Sequence, residues 1–91
     1  MAKFTYTIHG KNKLNSPLAM KLKITKKKIE NVIGNPVVLD KSEEPVYIAI
    51  GELNSKLSLC AAYRRAEGKI RVITFYPAAK GRYESKILQR G

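Results

Sequence analysis

"KLSLCAAYRRAEGKIRVITFY", residues 56–76, is the stretch whose reading decides the fold. Leu57, Leu59, Ala61 and Tyr63 alternate with Ser58, Cys60 and Ala62. After a short polar link, Ile70, Val72, Thr74 and Tyr76 alternate with Arg71, Ile73 and Phe75. A period of two marks a strand with two unlike faces. The link "RAEG" (65–68) is short enough to require a hairpin. The spacing therefore predicts antiparallel strands over 56–64 and 69–76.

The pattern extends upstream. "PVYIAIGEL" (45–53) is apolar and β-branched and joins residue 56 through "NS" (54–55), a second hairpin link. "VVL" (37–39) reads as a short strand before it, and the acids of "DKSEE" (Asp40, Glu43, Glu44) read as a turn. Further back, Thr25 is placed to cap a helix over "KKKIENVIG". Ile29, Val32 and Ile33 give that helix one apolar stripe, Gly34 is expected at the left-handed C′ position, and Pro36 blocks its continuation. Ser16-Pro17 opens a shorter helix, "PLAMKLK", with Pro at its first position. "KFTYTIH" (3–9) alternates as a strand that ends at His9, with Phe4, Tyr6 and Ile8 on one side. Downstream, Pro77 marks the expected end of sheet pairing, and "SKILQR" (85–90) suits one last helical turn. The expected class is α+β: one or two N-terminal helices packed on an antiparallel sheet of about four strands, as one domain over 1–91.

Charge limits the functional classes. The 91 residues carry 18 Lys plus Arg against 7 Asp plus Glu, a net +11. Lys-rich thermophile surfaces usually balance lysine with glutamate in ion-pair networks, and the acids here are too few for that. Such an excess points to a polyanionic partner, RNA or DNA, with no bearing on the fold. Residues 1–29 hold eight lysines and no acid. There is no apolar run long enough for a bilayer span and no signal-peptide core, so a reducing cytoplasm is expected. Cys60 lies in an apolar run and reads as a small buried hydrophobe.

No phosphate-cradling glycine loop, carboxylate pair or nucleophile with a base stands out. His9 is the one histidine, so no metal site built on histidines is expected, and no cofactor is expected either. What remains is basic and aromatic. RNA is cleaved without metal when its 2′-hydroxyl attacks the adjacent phosphate; the protein then supplies cations, a base and an acid. Arg71, Tyr76, Lys80, Arg82 and Tyr83 follow one another along the last strand and its tail. In one reading they line a phosphate site. In the other, Tyr76 packs the sheet end, Lys80 and Arg82 are solvated and Tyr83 anchors the tail. Lys26, Lys27 and Lys28 fill the first turn of the Thr25-capped helix, where cations oppose the dipole and a bound phosphate would reverse that penalty. His9 is the side chain with an ordinary pKa suited to acid–base work near neutrality. Arg64 and Arg65, at a hairpin tip, are either solvated or hold RNA backbone.

"KIRVITFYPAAKGRYE" (69–84) resembles the ending of a small prokaryotic domain family of unknown function. Together with "FTYTIH" and "ITKKKIENVIGNP", its order and spacing are similar to BrnT-type toxins of the RelE/ParE superfamily, over about residues 4–84. The resemblance implies a RelE-like fold, helices on a twisted antiparallel sheet. It also implies a metal-free endoribonuclease of the mRNA interferase type, some relatives acting on ribosome-bound mRNA, with an antitoxin covering the basic face. By position, His9, Arg71, Arg82 and Tyr83 fall to catalysis, and Tyr76 and Lys80 to RNA contact. The chain departs from the family: "GKNKLNSPLAMKLK" has no Arg, three lysines follow Thr25 where relatives carry acids, and "FYPAAK" replaces a Ser-Ala-Arg. These departures bear on cleavage more than on fold. Two other expectations stand beside it: a non-catalytic nucleic-acid-binding module on the same fold, and a protein-interaction subunit, such as a homodimer made by edge strands.

Overall fold

The computed structural model describes residues 3–80. Five strands and three short helices follow in the order β1 (Lys3–Tyr6), α1 (Ile8–Leu14), α2 (Pro17–Lys21), α3 (Lys26–Gly34), β2 (Val38–Glu43), β3 (Val46–Glu52), β4 (Leu57–Ala66) and β5 (Lys69–Ala79). The sheet order is β1-β5-β4-β3-β2. The expected meander forms β2 to β5, all antiparallel. The sheet is nevertheless mixed and five-stranded, because β1 joins the outer side of β5 in parallel. The helices carry the chain from that edge across one face to the far edge, where β2 begins.

Thr7 explains why β1 is short. Its backbone N–H donates to the Val72 carbonyl (3.0 Å), which completes the pairing with β5. Its hydroxyl donates to the Ile73 carbonyl (2.9 Å) and accepts from the Gly10 N–H (3.1 Å), capping α1. Ile73 is the extra residue of a β-bulge opposite Ala62 and Tyr63, so its carbonyl is available for this contact. A Cβ on Gly10 would lie 3.3 Å from the Val72 carbonyl oxygen, so glycine lets α1 sit tightly against β5. Two expectations are corrected here. His9 stands in the first turn of α1 and not at a strand end, and Ile8 is exposed instead of sharing the core with Phe4 and Tyr6.

The other helices follow the sequence. Ser16 and Thr25 cap α2 and α3, and Ile29, Val32 and Ile33 are buried. Gly34 is the last helical residue, with Asn35 as the cap beyond it. Asp40 and Glu43 belong to β2, an edge strand, and not to a turn; charged residues on an edge discourage unwanted pairing. Pro77 does not end the sheet. Lys80 N–H donates to the Lys56 carbonyl, so by the alternation of the ladder the Pro77 nitrogen faces away from β4, and pairing runs on to Ala79.

The main core lies between helices and sheet: Ile29, Val32 and Ile33 against Ala49, Leu59, Ala61, Tyr63, Val72 and Phe75. A smaller cluster, Ile50, Cys60 and Ala78 with Val38, Ile48 and Tyr76, belongs to the opposite face. No helix of the described residues is long and apolar enough to cross a membrane.

Tyr6 fastens β1 to α3. Its hydroxyl donates to Glu30 Oε2 at 2.7 Å, and Lys26 Nζ sits 5.2 Å from its ring centroid. Burial first, then the hydrogen bond and negative charge of Glu30, push its phenol above the ordinary range. The fold thus holds a proton that the unfolded chain releases near pH 10, and the corresponding stability is intact below that pH and lost above it. Tyr6→Phe is expected to cost about 1–2 kcal/mol in urea unfolding at pH 7 and to flatten the fall of stability above about pH 10. At Gly51, a Cβ would come within 3.0 Å of Val32. Gly51→Ala is therefore expected to lower the melting temperature through about 1–3 kcal/mol of overpacking.

Candidate nucleic-acid interface

Strand alternation sorts the basic residues between the two faces. Ile70 and Val72 face the helices, so Lys69 and Arg71 project from the opposite face, open in that no helix of the described residues covers it. Phe4 and Tyr6 likewise place Lys3 and Thr5 there, and Tyr63 places Arg64 there. The register then brings like charges together. Arg64 stands opposite Arg71, and Lys3 opposite Lys69.

All four cations are exposed, and none has an acidic partner among the described residues. In the row Thr5–Arg71–Arg64–Val46, the next residue is Glu43, about 10 Å from Arg64 at ordinary strand spacing. Like charges directly opposite in a sheet repel, typically by about 0.2–1 kcal/mol when exposed. Two such pairs side by side form a focus of positive potential that a phosphodiester chain would neutralise.

The turn that builds this focus is Glu67-Gly68. Both residues have positive φ, 54° and 74°, as a two-residue type I′ hairpin requires. That loop leaves Ala66 opposite Lys69 and hence Arg64 opposite Arg71. A four-residue link over 65–68, as the sequence suggested, would have paired different residues.

Other site candidates are dispersed. Tyr76 shares the open face with Arg71 but packs into the apolar cluster of Ile50, Cys60 and Ala78. Lys13, on α1, reaches over the free edge of β5: its Nζ donates to Thr74 Oγ1 at 3.3 Å and lies 5.7 and 5.8 Å from the Phe75 and Tyr76 ring centroids. Lys80 pairs with Glu52 at 3.2 Å, at the far end of β5. Arg71 and Lys80 are separated by about 30 Å of strand at about 3.3 Å per residue. They therefore do not surround one phosphate. Lys26, Lys27 and Lys28 are exposed on α3, in the helical layer on the other side of the sheet. There Lys26 and Lys11 border a shallow cavity of about 450 Å³ with Asn15 and Thr25. His9 is exposed on α1. Arg82 and Tyr83 lie outside the described residues.

The sequence singles out Arg71 but neither Lys3 nor Lys69, and leaves Arg64 at a hairpin tip as either solvated or a backbone contact. Their common signal is distance from the turn: Arg64 and Arg71 are equidistant from Glu67-Gly68. Among the described residues no three His, Cys, Asp or Glu side chains converge as metal ligands. Comparison with known proteins finds no matching family model, no matching curated protein and no matching solved structure.

Repulsion across this hairpin is measurable. Arg64→Glu converts a like pair into an opposite one. The variant is expected to be more stable than the parent by up to about 1 kcal/mol at low ionic strength, with the difference fading by 1 M salt in matched thermal melts.

Proposed function

We propose that the protein is an RNA-binding module that receives the phosphate backbone on the basic half of its open sheet face. The observation that carries this reading is the pairing of Arg64 with Arg71 beside Lys3 with Lys69, with no acid among the described residues to neutralise them. Such an arrangement weakens the isolated protein, and a polyanion turns the same arrangement into binding energy. Thr5 and Thr74 share this face and offer hydroxyls for phosphate oxygens. The net charge of +11 is consistent with this partner, as is a cytoplasmic setting.

The element order of strand, helices and meander supports a RelE-like reading of the scaffold. Within that reading, an endoribonuclease of the toxin type would gather a base, an acid and cations at one phosphate. The span between Arg71 and Lys80 and the position of His9 on α1 favour binding over cleavage. An antitoxin-like partner would be an acidic protein competing with RNA for the same face.

Fluorescence polarisation with a labelled single-stranded RNA, titrated across salt, tests the binding. Single strands give a slope of about −0.7 per neutralised phosphate, so the four cations of the sheet face contribute about −3 to the log–log slope. Arg64→Ala with Arg71→Ala is expected to shallow that slope by about 1.4; a double variant that binds like the parent would sink the proposal. The same RNA, incubated with the protein in EDTA with and without ribosomes, is expected to stay intact. Cleavage that disappears in His9→Ala or Arg71→Ala would establish the endoribonuclease reading instead.

A further inference from the structure

The β4–β5 hairpin carries a second basic residue on its other face. Arg65 follows Arg64 and so projects on the helix side, next to Tyr63. The three helices leave this corner uncovered: α3 packs on β3 and β4, and α1 packs on β5. A small cavity of about 110 Å³ opens there, lined by Leu39, Lys41, Tyr47, Tyr63 and Arg65. Tyr47 and Tyr63 are cross-strand partners, with ring centroids 5.7 Å apart and planes tilted by 44°. Tyr63 is buried and fixes the floor, while Tyr47 is half-buried and meets solvent. Lys41 and Arg65 are both exposed at the rim, and no acid lines the cavity among the described residues.

An aromatic and aliphatic floor under two cations suits a flat, apolar ring that carries a negative charge just outside it. An unpaired nucleobase with its phosphate has that shape and charge. We propose that this cavity takes one unpaired pyrimidine of a bound RNA strand, stacked on Tyr47, with the flanking phosphates on Arg65 and Lys41. The inference rests on the RNA reading above and adds a second contact at the same hairpin. Its size selects the base. A cavity of about 150 Å³ encloses a benzene ring, so about 110 Å³ with an open mouth seats part of a six-membered ring and a smaller share of a purine. A base in a duplex is unavailable for such insertion, so the cavity also discriminates single strands from double strands.

The hairpin then acts as a two-sided clamp. Arg64 and Arg71 hold backbone on one face of the sheet, and the Tyr47 cavity holds a base at the other. Charge on the first supplies salt-dependent affinity without sequence preference. In the second, ring fit supplies preference, stacking adds affinity with little salt dependence, and Arg65 and Lys41 add two phosphate contacts to the slope.

The experiment compares 5′-labelled U6, A6 and a short RNA duplex by fluorescence polarisation on the full-length protein and on Tyr47→Ala, Tyr47→Phe and Lys41→Gln/Arg65→Gln. The parent is expected to bind U6 more tightly than A6 or the duplex. Tyr47→Ala is expected to lower U6 affinity about tenfold and to erase the preference, with an unchanged salt slope; Tyr47→Phe is expected to keep both. The double variant, which alters only exposed positions and so leaves the core intact, is expected to weaken U6 binding and shallow the slope. A parent that binds all three RNAs alike, or a preference that survives Tyr47→Ala, overturns the cavity while leaving the backbone contact standing. Should Tyr47→Ala not fold, as judged by circular dichroism, the double variant decides: unchanged U6 binding overturns the proposal. A parent that binds no RNA removes both readings together.

Discussion

The register of the β4–β5 hairpin is the constraint on which the rest depends. Its two-residue turn at Glu67-Gly68 needs two left-handed residues, and the chain supplies a glycine for one of them. From that turn the pairing runs from Ala66–Lys69 to Leu57–Ala79, the longest ladder in the sheet. It places Tyr63, Ala61 and Leu59 under the helices beside Val72 and Phe75. It equally obliges Arg64 to face Arg71. A slip of one residue would turn the core residues outward, so the core fixes the arginine pair as firmly as it fixes itself. Repulsion between two exposed guanidinium groups is too weak, at up to about 1 kcal/mol, to compete with burial of Tyr63 and Val72, each side chain worth about 1.5–3 kcal/mol or more.

A second junction decides how the N-terminus joins this sheet. Thr7 ends β1, caps α1 and bonds to the carbonyl that the β5 bulge frees at Ile73. Its hydroxyl thus links a local feature, a helix cap, to a residue far away in sequence. Beyond Val72 the outer side of β5 has no strand partner among the described residues, and α1 with Lys13 lies along it instead. A lysine over an open strand edge discourages pairing with another chain, which keeps this edge from extending the sheet.

Much of this was legible in the sequence where local chemistry decides. Thr25, the Ile29–Val32–Ile33 stripe and Pro36 specify α3 without help from the rest of the chain, and alternation specifies β3, β4 and β5. The reading failed where long-range contacts decide. "FTYTIH" alternates through Ile8, and only the bond from Thr7 to Ile73 and the fit of Gly10 against β5 convert its end into a helix. Parallel pairing of β1 with β5 has no local signal at all. Pro77 looked like a terminator because its nitrogen cannot donate, yet that nitrogen faces away from β4. The candidate site was legible only in part for the same reason. Basic residues are visible in a sequence, but which of them share a face depends on turn length. Counting a four-residue link instead of a two-residue turn sets Arg64 opposite Lys69 and Arg71 opposite Ala62, and so misses the facing arginines.

Among the described residues three basic surfaces are therefore available to a polyanion: the open sheet face, the Lys41–Arg65 rim at the same hairpin, and the helical layer around Lys26, Lys27 and Lys28. We assign the RNA backbone to the sheet face, where cations oppose one another in register and have no acidic partner among the described residues. Amide chemical-shift mapping of the labelled protein, titrated with a short single-stranded RNA, tests that assignment most directly. The largest shifts are expected on Lys3, Thr5, Arg64, Lys69 and Arg71, with Tyr47 beside them where a base stacks. Shifts confined to the start of α3, at Lys26 to Lys28, would contradict it.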